Sequence, residues 1–430
     1  MITPDRVKGT RDFGPEDMLL RQRVVGIIRI IYEARGFVPI DTPALEKWEV
    51  LSAKGAGGDE LLKETYNFED LGSRRIGLRY DLTVPLIRYV SMNPNIPMPF
   101  KRYHYGPVWR YEESKPGRYR EFYQFDIDTV GSQSMAADAE CIATVAEALS
   151  KFRQYIGDFK IRINNRKLVE GVLNYLDITS EEQVIGEMRT IDKIQKLSRE
   201  GLFKEFKTYK ISAVQAERIL DSLSRKGEIK QILSEMKKDL PKNEKIAAGL
   251  SELEETEKYL GAFGVLANCI FDASLVRGLG YYTGNVFEAT LEGKNSGSIA
   301  GGGRYDKVIG LFLGKDVPAV GFSIGIERLL DLMKGKITPE PLTEIFVAAV
   351  SQDLLPEAIK ISEKLRTQGK RVQFDLMGRN FSNQLKFADK IGAKEVWILG
   401  PRDMAKGEIV VKDMKTGKEE RVKINSLINN

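Results

Sequence analysis

Two runs of aromatic, β-branched and polar residues flank Pro116-Gly117 in the stretch from Phe100 to Val130. Such runs predict two strands, and the proline–glycine pair predicts the turn that joins them. Successive strand side chains point to opposite faces of a sheet, so residues two apart share a face. On the first strand this rule groups Val108, Arg110 and Glu112. On the second strand it groups Phe122, Gln124, Asp126 and Asp128.

If these two groups of side chains lie on the same face of the hairpin, that face carries a cation, an aromatic ring, an amide and carboxylates. That composition excludes an ordinary hydrophobic core. The joining loop adds Lys115, Arg118 and Arg120 directly above this face. A solvated outer face with a basic loop is one interpretation. The short, geometrically specific polar side chains favour another, in which the basic loop holds a polyphosphate over a small polar substrate.

The N-terminal part of the chain has helical periodicity. Apolar residues at helical spacing predict a helix from about Pro15 to Arg35, which Gly36 ends. A strand from Phe37 to Thr42 is predicted next, and it stops at Pro43. Read from the pattern alone, this is a core helix packed on a sheet.

A further strand is predicted from Arg74 to Leu82. Its alternation puts Arg79, Asp81 and Thr83 on one side. A carboxylate and a hydroxyl two residues apart are a sensible pair of acceptors for an ammonium group. The alternative is an exposed strand with alternating polar residues.

The pattern changes twice more along the chain. Residues 166–262 are rich in Lys and Glu and have helical periods, which predicts a helical insertion that interrupts the sheet domain. From Ile345 onward strands alternate with helices, and a last hairpin turns at Lys415-Thr-Gly417. Such alternation predicts a mostly parallel sheet with helices on both faces.

Length, composition and charge are consistent with this division. A chain of 430 residues is expected to form two or three domains. Its 42% hydrophobic and 30% charged residues are typical of a soluble globular protein, and no apolar run approaches the roughly 20 residues that span a bilayer. Residues 341–430 hold 16 Lys and Arg against 12 Asp and Glu, which is a modest indication of an RNA partner.

Two residue types exclude some chemistries. Cys141 and Cys269 lie far apart without metal-ligand spacing, so neither a disulfide framework nor a zinc site is expected, and a reducing cytoplasm fits. His104 is the single histidine, which excludes a histidine-based triad and a multi-histidine metal site. We predict a structural role for it.

Several segments resemble, in order, the motifs of class II aminoacyl-tRNA synthetases, and in particular of histidyl-tRNA synthetases. The predicted helix and strand that end at Pro43 resemble motif 1. The Arg-x-Glu that starts at residue 110, the Gly-Arg-Tyr-Arg loop and the Phe-x-Gln that starts at residue 122 resemble motif 2. Leu275 to Ala289 and Gly301 to Asp306 resemble two histidine-specific signatures, with Gly280 at a position where the family often has Asp. Pro318 to Leu330 resembles motif 3.

The resemblance implies an α+β fold with a class II antiparallel sheet flanked by helices, a helical insertion, and a C-terminal α/β anticodon-binding domain. Residues 1–165 and 263–336 would be the two parts of the catalytic domain, 166–262 the insertion and 342–430 the anticodon-binding domain. The implied protein is a cytoplasmic homodimer, not bound to a membrane. It would activate L-histidine with ATP and Mg²⁺ and charge tRNA(His).

The resemblance also implies roles for single residues. The implied catalytic residues, which would hold the α-phosphate and the attacking carboxylate, are Arg110 and Arg277. The implied ATP-binding residues are Arg110, Glu112, Arg118, Phe122 and Arg328. The implied histidine-binding residues are Asp81, Thr83, Arg110, Gln124, Asp128, Arg277, Tyr281 and Tyr282.

Each set divides further by the group that it would contact. The β- and γ-phosphates would be held by Arg118 and Arg328. The adenine ring would stack on Phe122, and its amino edge would contact Glu112. The ammonium of the amino acid would be held by Asp81, Thr83 and Gln124. The imidazole would be read by Asp128 and Tyr282, with Tyr281 nearby.

Two alternatives accompany these expectations. A catalytically inactive, synthetase-like regulatory subunit of ATP phosphoribosyltransferase typically lacks the C-terminal domain and has eroded arginines, and both features are retained here. For Arg328 alone, an ordinary surface ion pair with Glu327 is the structural alternative.

Overall fold

The computed structural model describes most of the chain. The described residues are 3–53, 62–113, 117–191, 194, 197–276, 281–293, 297–337 and 340–424, without the side chains of 181, 182, 185, 188 and 189. The chain divides into two compact units, one of residues 1–13 and 20–337 and the other of residues 14–19 and 338–430.

A nine-stranded sheet forms the centre of the larger unit. In spatial order its strands are β1 (Val38–Pro39), β5 (Phe100–Trp109), β6 (Glu121–Val130), β12 (Ala319–Gly325), β11 (Ser298–Arg304), β10 (Asn285–Leu291), β7 (Phe159–Asn165), β9 (Cys269–Asp272) and β8 (Lys226–Gly227). The β1–β5 and β7–β9 pairs are parallel, and the other pairs are antiparallel. The predicted α+β class with an antiparallel-dominated sheet is therefore confirmed.

The central strands of this sheet have one apolar face and one polar face. On β6, Phe125 and Ile127 are fully buried in the main hydrophobic core, while Gln124, Asp126 and Asp128 point to the opposite face of the sheet. Tyr32 packs on Phe125 with ring centroids 4.8 Å apart. The helices that cover this face are α1 (Pro15–Ala34), which carries Tyr32, and α4 (Met135–Ser150), which Ser134 caps by accepting from the N–H of Ala136. The opposite face is left for polar side chains.

A small antiparallel sheet corrects one strand prediction. Its strands are β2 (Leu45–Lys47), β4 (Arg75–Leu78) and β3 (Asn67–Glu69). The predicted strand to Leu82 was wrong, because β4 ends at Leu78 and Thr83 begins helix α3 (Thr83–Met92). Asp81 accepts from the backbone N–H groups of Thr83 and Val84, 3.1 and 2.9 Å away, which satisfies the free donors of the first helical turn. The predicted strand from Phe37 to Thr42 is likewise only the two residues of β1.

Six helices make up most of the described part of the segment between β7 and β9, which also contains the short strand β8. They are α6 (Arg166–Tyr175), α7 (Glu181–Ile191), α8 (Arg199–Thr208), α9 (Ala213–Leu223), α10 (Ile229–Asp239) and α11 (Glu244–Ala262). Polar residues start several of them, as Ser212 does by forming a capping box with Gln215. The short helices elsewhere in this unit are α2 (Trp48–Leu51), α5 (Arg153–Ile156), a 3₁₀ turn at Leu266–Asn268, α12 (Gly310–Leu313) and α13 (Ile326–Met333).

The smaller unit has a five-stranded sheet in the order β14 (Val372–Phe374), β13 (Ile345–Ala349), β15 (Glu395–Leu399), β16 (Glu408–Asp413) and β17 (Glu419–Lys423). Its helices are a 3₁₀ turn at Gln352–Leu354, α14 (Leu355–Thr367), α15 (Phe381–Lys390) and α16 (Pro401–Met404). The first three strands are parallel, but β15, β16 and β17 pair antiparallel. The sheet is therefore mixed rather than mostly parallel, because the last strands are joined by short connections that permit only antiparallel pairing.

No helix within the described residues has both the length and the apolar character that a membrane span requires.

A buried arginine joins β11 to the start of α4. Arg304, 2% exposed, forms an ion pair with Asp138 and donates to the carbonyl oxygens of Ser132 and Ser134 at 2.9 and 3.1 Å. We expect Arg304→Ala to lower the free energy of unfolding by about 3–5 kcal/mol, because it leaves the Asp138 carboxylate buried and unpaired. Denaturant unfolding measures this. The exposed neighbour Lys307 is the control, and its alanine variant should stay within about 0.5 kcal/mol of the original protein. Equal losses in both variants would contradict the assignment.

Candidate active site

An open cavity of about 450 Å³, counting the solvent at its mouth, lies on the polar face of the nine-stranded sheet. Strands β6, β11 and β12, the start of α3 and the segment before β10 form its walls. Its lining residues are Asp81, Thr83, Arg110, Gln124, Asp126, Asp128, Tyr281, Tyr282, Gly301, Gly302, Gly303, Tyr305, Gly321, Phe322 and Ser323.

Glycines keep the floor of this cavity open. A Cβ atom at Gly321 would lie 1.9 Å from Oδ1 of Asp128, and one at Gly302 would lie 2.0 Å from the carbonyl oxygen of Gly321. A Cβ atom at Gly303 would meet the Tyr282 ring at 2.8 Å. These glycines are thus required because polar side chains and neighbouring backbone occupy the space that a side chain would need.

Asp128 lies at one end of the cavity and is held from two sides. The Tyr305 hydroxyl donates to its Oδ1, and the Nη2 atom of Arg102 lies 2.7 Å from its Oδ2. Both Asp128 and Arg102 are almost completely buried. Burial raises the pKa of Asp128 to about 6 although the Arg102 charge opposes this rise. The carboxylate therefore stays mostly ionised at neutral pH.

Asp126 lies on the same face between Asp128 and Gln124, and it is only 3% exposed. Burial, together with the charge of Asp128, raises its pKa to about 7 against the opposing effect of Arg102. Ser323 on β12 hydrogen-bonds to this carboxylate. The Nε2 of Gln124 donates to the same Ser323 hydroxyl at 2.9 Å.

A third carboxylate enters the cavity from the start of α3. Burial raises the pKa of Asp81 even though its Oδ1 accepts two backbone N–H groups. Thr83 lies beside it and forms a side-chain hydrogen bond with Tyr281. Tyr281 and Tyr282 are both buried, with ring centroids 4.8 Å apart, and complete this wall.

Arginines collect at the other end of the cavity. Arg110 donates from Nε to the carbonyl of Tyr80 at 3.3 Å, and its guanidinium lies over the rings of Tyr80 and Phe122, 4.3 and 5.0 Å from the ring centroids. β5 ends at Trp109, so Arg110 and Glu112 lie beyond the strand on which the alternation was predicted. Glu112 accepts from Nη1 of the exposed Arg118 at 3.2 Å.

Arg328 lies in the first turn of α13, where the helix dipole favours anions. Burial lowers its pKa, and the charge of nearby Arg118 lowers it further. The alternative of a surface pair between Arg328 and Glu327 was wrong. Glu327 is buried, and it accepts from Arg21 Nη2 at 2.7 Å and from the N–H of Tyr123 at 2.6 Å.

The predicted site residues therefore fall into three groups. Those that line the cavity are Asp81, Thr83, Arg110, Gln124, Asp128, Tyr281 and Tyr282. Those near its cationic end are Glu112, Arg118, Phe122 and Arg328. Those outside the described residues are Arg277, Gly280 and Lys115. His104 is absent from the lining, is buried and contacts Asp41 through Nε2 at 2.9 Å.

The sequence prediction gave no role to several lining residues. Alternation along the strand grouped Asp126 with Gln124 and Asp128, and this grouping was sufficient to predict that Asp126 belongs to the site. Tyr305 belongs to the second glycine-rich signature, but the sequence analysis gave it no role. The sequence did not indicate that Ser323 or Arg102 belongs to the site, because each reaches the site only by the pairing of its strand with β6.

Within the part of the chain that the structure describes, no group of three or more His, Cys, Asp and Glu side chains is arranged to hold a metal ion.

Known proteins resemble this chain over its whole length. A family profile described as histidyl-tRNA synthetase matches residues 9–329, and one described as anticodon binding domain matches residues 344–430. The histidine–tRNA ligase of Korarchaeum cryptofilum is 40% identical over 98% of this chain and 97% of its own. That of Pyrococcus horikoshii is 38% identical over 99% and 98%. The crystal structure of histidyl-tRNA synthetase from Nostoc sp. PCC 7120 is 34% identical, covers 99% of this chain and 98% of its own, and has a TM-score of 0.86.

The glycine floor can be tested directly. We expect Gly321→Ala to weaken the binding of L-histidine, the ligand that the motifs imply, by about 100-fold, because its Cβ must displace the Asp128 carboxylate. Isothermal titration calorimetry measures the change. Gly325→Ala on the same strand is the matched control, since its Cβ would meet only ordinary contacts at 3.6 and 3.9 Å. Unchanged histidine binding in the Gly321 variant would contradict this account of the floor.

Proposed function

The chain belongs to the histidyl-tRNA synthetase family, and we propose that it activates L-histidine with ATP and transfers the histidyl group to tRNA(His). The observation that carries this proposal is the opposite charge at the two ends of one cavity. On β6, Asp126 and Asp128 lie toward one end, and Arg110 lies over the Phe122 ring toward the other. An amino acid presents an ammonium and a polar side chain to the first end and its carboxylate to the second, where the phosphates of ATP would lie.

The first step joins two anions. A carboxylate oxygen of histidine attacks the α-phosphorus of ATP, the bond to the bridging oxygen of the β-phosphate breaks, and pyrophosphate leaves. Positioned cations stabilise the charge that develops in such a transition state. Arg110 would perform this role from the cavity wall, with Arg277 as its proposed partner. Since Arg110 is oriented by the Tyr80 carbonyl and by two aromatic rings, little reorganisation would be required.

In the second step a ribose hydroxyl at the end of the tRNA attacks the carbonyl carbon of the adenylate. The hydroxyl loses its proton, an ester forms, and AMP leaves. We assign tRNA recognition to the residues that match the anticodon-binding profile, 344–430. The excess of Lys and Arg over Asp and Glu at the C-terminal end of the chain supports this assignment.

Polyphosphate would bind at the cationic end. Arg118 and Arg328 are close enough that one charge lowers the pKa of the other, which is unfavourable for the empty site and favourable once phosphates lie between them. Phe122 would stack on adenine, and Glu112 would contact its amino edge. Mg²⁺ prefers phosphate oxygens with one or two carboxylates, and Glu288, whose charge raises the pKa of Arg328, would contribute one. The ion would neutralise charge on the leaving pyrophosphate.

The histidine end would use the remaining predicted residues. Asp81, Thr83 and Gln124 would hold the ammonium. Asp128 would accept from an imidazole N–H, and Tyr282 would face the other ring nitrogen, with Tyr281 packed behind. An ionised carboxylate can only accept, so a side chain without a matching donor would leave Asp128 buried and unpaired.

Further properties of the family extend the proposal. We assign the protein to the cytoplasm as a homodimer, and we assign the catalytic domain to residues 1–165 and 263–336 with an insertion at 166–262. The inactive regulatory alternative is disfavoured, because the chain retains Arg110, Arg118 and Arg328 together with the residues that match the anticodon-binding profile.

Amino-acid-dependent exchange of pyrophosphate into ATP tests the function. We expect exchange with L-histidine, and at least about 10⁴-fold less with other amino acids, because a polar pocket rejects ligands that leave its groups unpaired. Charging of a tRNA(His) transcript is the second assay. Exchange with an amino acid other than histidine would overturn the substrate assignment. Absence of exchange with every amino acid would favour the regulatory alternative.

Arg328→Ala separates the two ends of the cavity. We expect the KM for ATP to rise about tenfold or more, because one charged contact to phosphate is lost, while the KM for histidine changes less than about twofold. Steady-state exchange at varied ATP and varied histidine measures both. The exposed Lys334, one residue beyond the same helix, is the control, and its alanine variant should leave both constants unchanged. A rise in the histidine KM alone would contradict the phosphate role.

A further inference from the structure

Among the described residues, Oδ2 of Asp128 has no hydrogen-bond donor but lies 2.7 Å from Nη2 of Arg102. Three further buried acceptor atoms in the cavity have neither a hydrogen-bond donor nor an ion-pair partner among the described residues. They are Oδ2 of Asp81, Oε1 of Gln124 and Oδ1 of Asp126. All three residues line the same cavity. A buried acceptor that has lost water and gained no donor is unfavourable, and more so when it is charged. Their common location indicates that a ligand supplies the missing donors.

Ser323 connects two of these three residues. Its hydroxyl accepts from Nε2 of Gln124 at 2.9 Å and hydrogen-bonds to the carboxylate of Asp126. A hydroxyl has one proton, so while it accepts from the amide, that proton is available for Asp126. Because the amide nitrogen is held by Ser323, the amide oxygen of Gln124 points into the cavity as an acceptor. Asp126 thus fixes the orientation of Gln124 through one intervening side chain.

An ammonium group has three N–H donors and no acceptor, which matches three unpaired acceptors. We propose that Asp126 is a specificity-determining residue that binds the α-ammonium of the substrate with one oxygen and, through Ser323, orients Gln124 to bind the same group. This inference rests on the proposed function for the identity of the substrate. It adds a carboxylate to which neither the motifs nor their family resemblance assigned a role.

The charges around Asp126 are consistent with a cationic ligand. Charged groups that act on it are Arg102 on β5, Asp128 on its own strand, Asp81 before α3 and Arg79 after β4, while Tyr32 on α1 lies on the other face of the sheet. His104 is paired with Asp126 across β5 and β6, and burial lowers the pKa of His104 to about 3, so it brings no charge. Among the lining residues three carboxylates stand against one arginine, Arg110, with Arg102 beside them, and an ammonium would offset the excess of negative charge.

The ionisation of Asp126 gives a second, independent measurement. Burial gives the free protein a carboxyl with a pKa of about 7. A bound ammonium favours the ionised form, so below about pH 7 binding must displace a proton and the affinity falls. Above that pH the carboxylate is already ionised, and this pH dependence disappears.

The principal test compares two ligands on two proteins. L-histidine and 3-(imidazol-4-yl)propanoate share the imidazole and the carboxylate, but only histidine has the ammonium. We expect Asp126→Asn to weaken histidine binding about tenfold or more at pH 7.5, as for loss of one charged hydrogen bond, and to change binding of the deaminated ligand less than about threefold. Calorimetric titration measures the four dissociation constants. Asp158→Asn, an exposed carboxylate of the same unit, is the matched control and should change neither.

A second variant and a pH series keep the inference testable if Asp126→Asn is poorly folded. Ser323→Ala should weaken histidine binding in the same selective way but by less, because Asp126 itself remains. Histidine affinity is measured for both proteins between pH 6 and 8, and the affinity of the original protein is divided by that of the Asn variant. Titration of the imidazole affects both proteins equally and cancels in this ratio. The ratio should fall as the pH drops below about 7, because Asp126 then becomes protonated.

Equal losses for both ligands would mean that Asp126 contacts the imidazole or only supports the fold, and would overturn the inference. An unchanged affinity for histidine would overturn it as well. Failure of the proposed function is distinguishable, because then the original protein would neither bind histidine nor exchange pyrophosphate with it.

Discussion

One buried guanidinium offsets part of the negative charge of the cavity. Arg102 has no solvent exposure, lies 2.7 Å from Asp128 and donates to the carbonyl of Leu82 at 3.1 Å. It therefore ties β5 to β6 and to the start of α3. Its charge lowers the pKa of Asp81, of Asp126 and of Asp128 against the larger effect of burial on each. Without this cation three carboxylates would share a low-dielectric site with no compensating charge on the sheet beneath them.

This arrangement has a cost for stability and an advantage for binding. A carboxyl group whose pKa is raised in the folded protein contributes most to the free energy of folding while it is protonated. This contribution is lost as the pH rises from the unfolded-state pKa, near 4, through the folded-state pKa, which is about 6 for Asp128 and about 7 for Asp126. At neutral pH the site is thus electrostatically strained. A cationic ligand would relieve that strain, and the proposed amino-acid substrate carries such a cation in its ammonium group.

The cavity also depends on the glycines of its floor, which have no side chains. A Cβ atom at Gly302 would meet the carbonyl oxygen of Gly321, and one at Gly321 would meet the Asp128 carboxylate, so β11 and β12 leave a recess where side chains would otherwise form a core. Polar groups enter from the rim instead. The arginines come from outside the regular strands, Arg110 just past the end of β5 and Arg328 on the first turn of α13. The carboxylates at one end of the cavity thus lie on a regular strand, whereas the arginines at the other end lie past the end of a strand and at the start of a helix.

The amino-acid sequence is sufficient to show which residues share a face and which family the chain resembles. Two-residue alternation on β6 separates Gln124, Asp126 and Asp128 from the apolar residues between them, because successive side chains of a strand point to opposite faces. The partners of these residues follow from the three-dimensional fold. Arg102, in a run where basic and aromatic residues are interleaved, opposes Asp128 because the hairpin register pairs them. Tyr305, just after β11, reaches Asp128 from 177 residues further along the chain, and Ser323 on β12 reaches Gln124 from 199 residues further. Asp81 caps a helix where alternation indicated a strand. Periodicity fixes the direction of a side chain, but register, helix starts and long-range pairing depend on how the whole sheet closes.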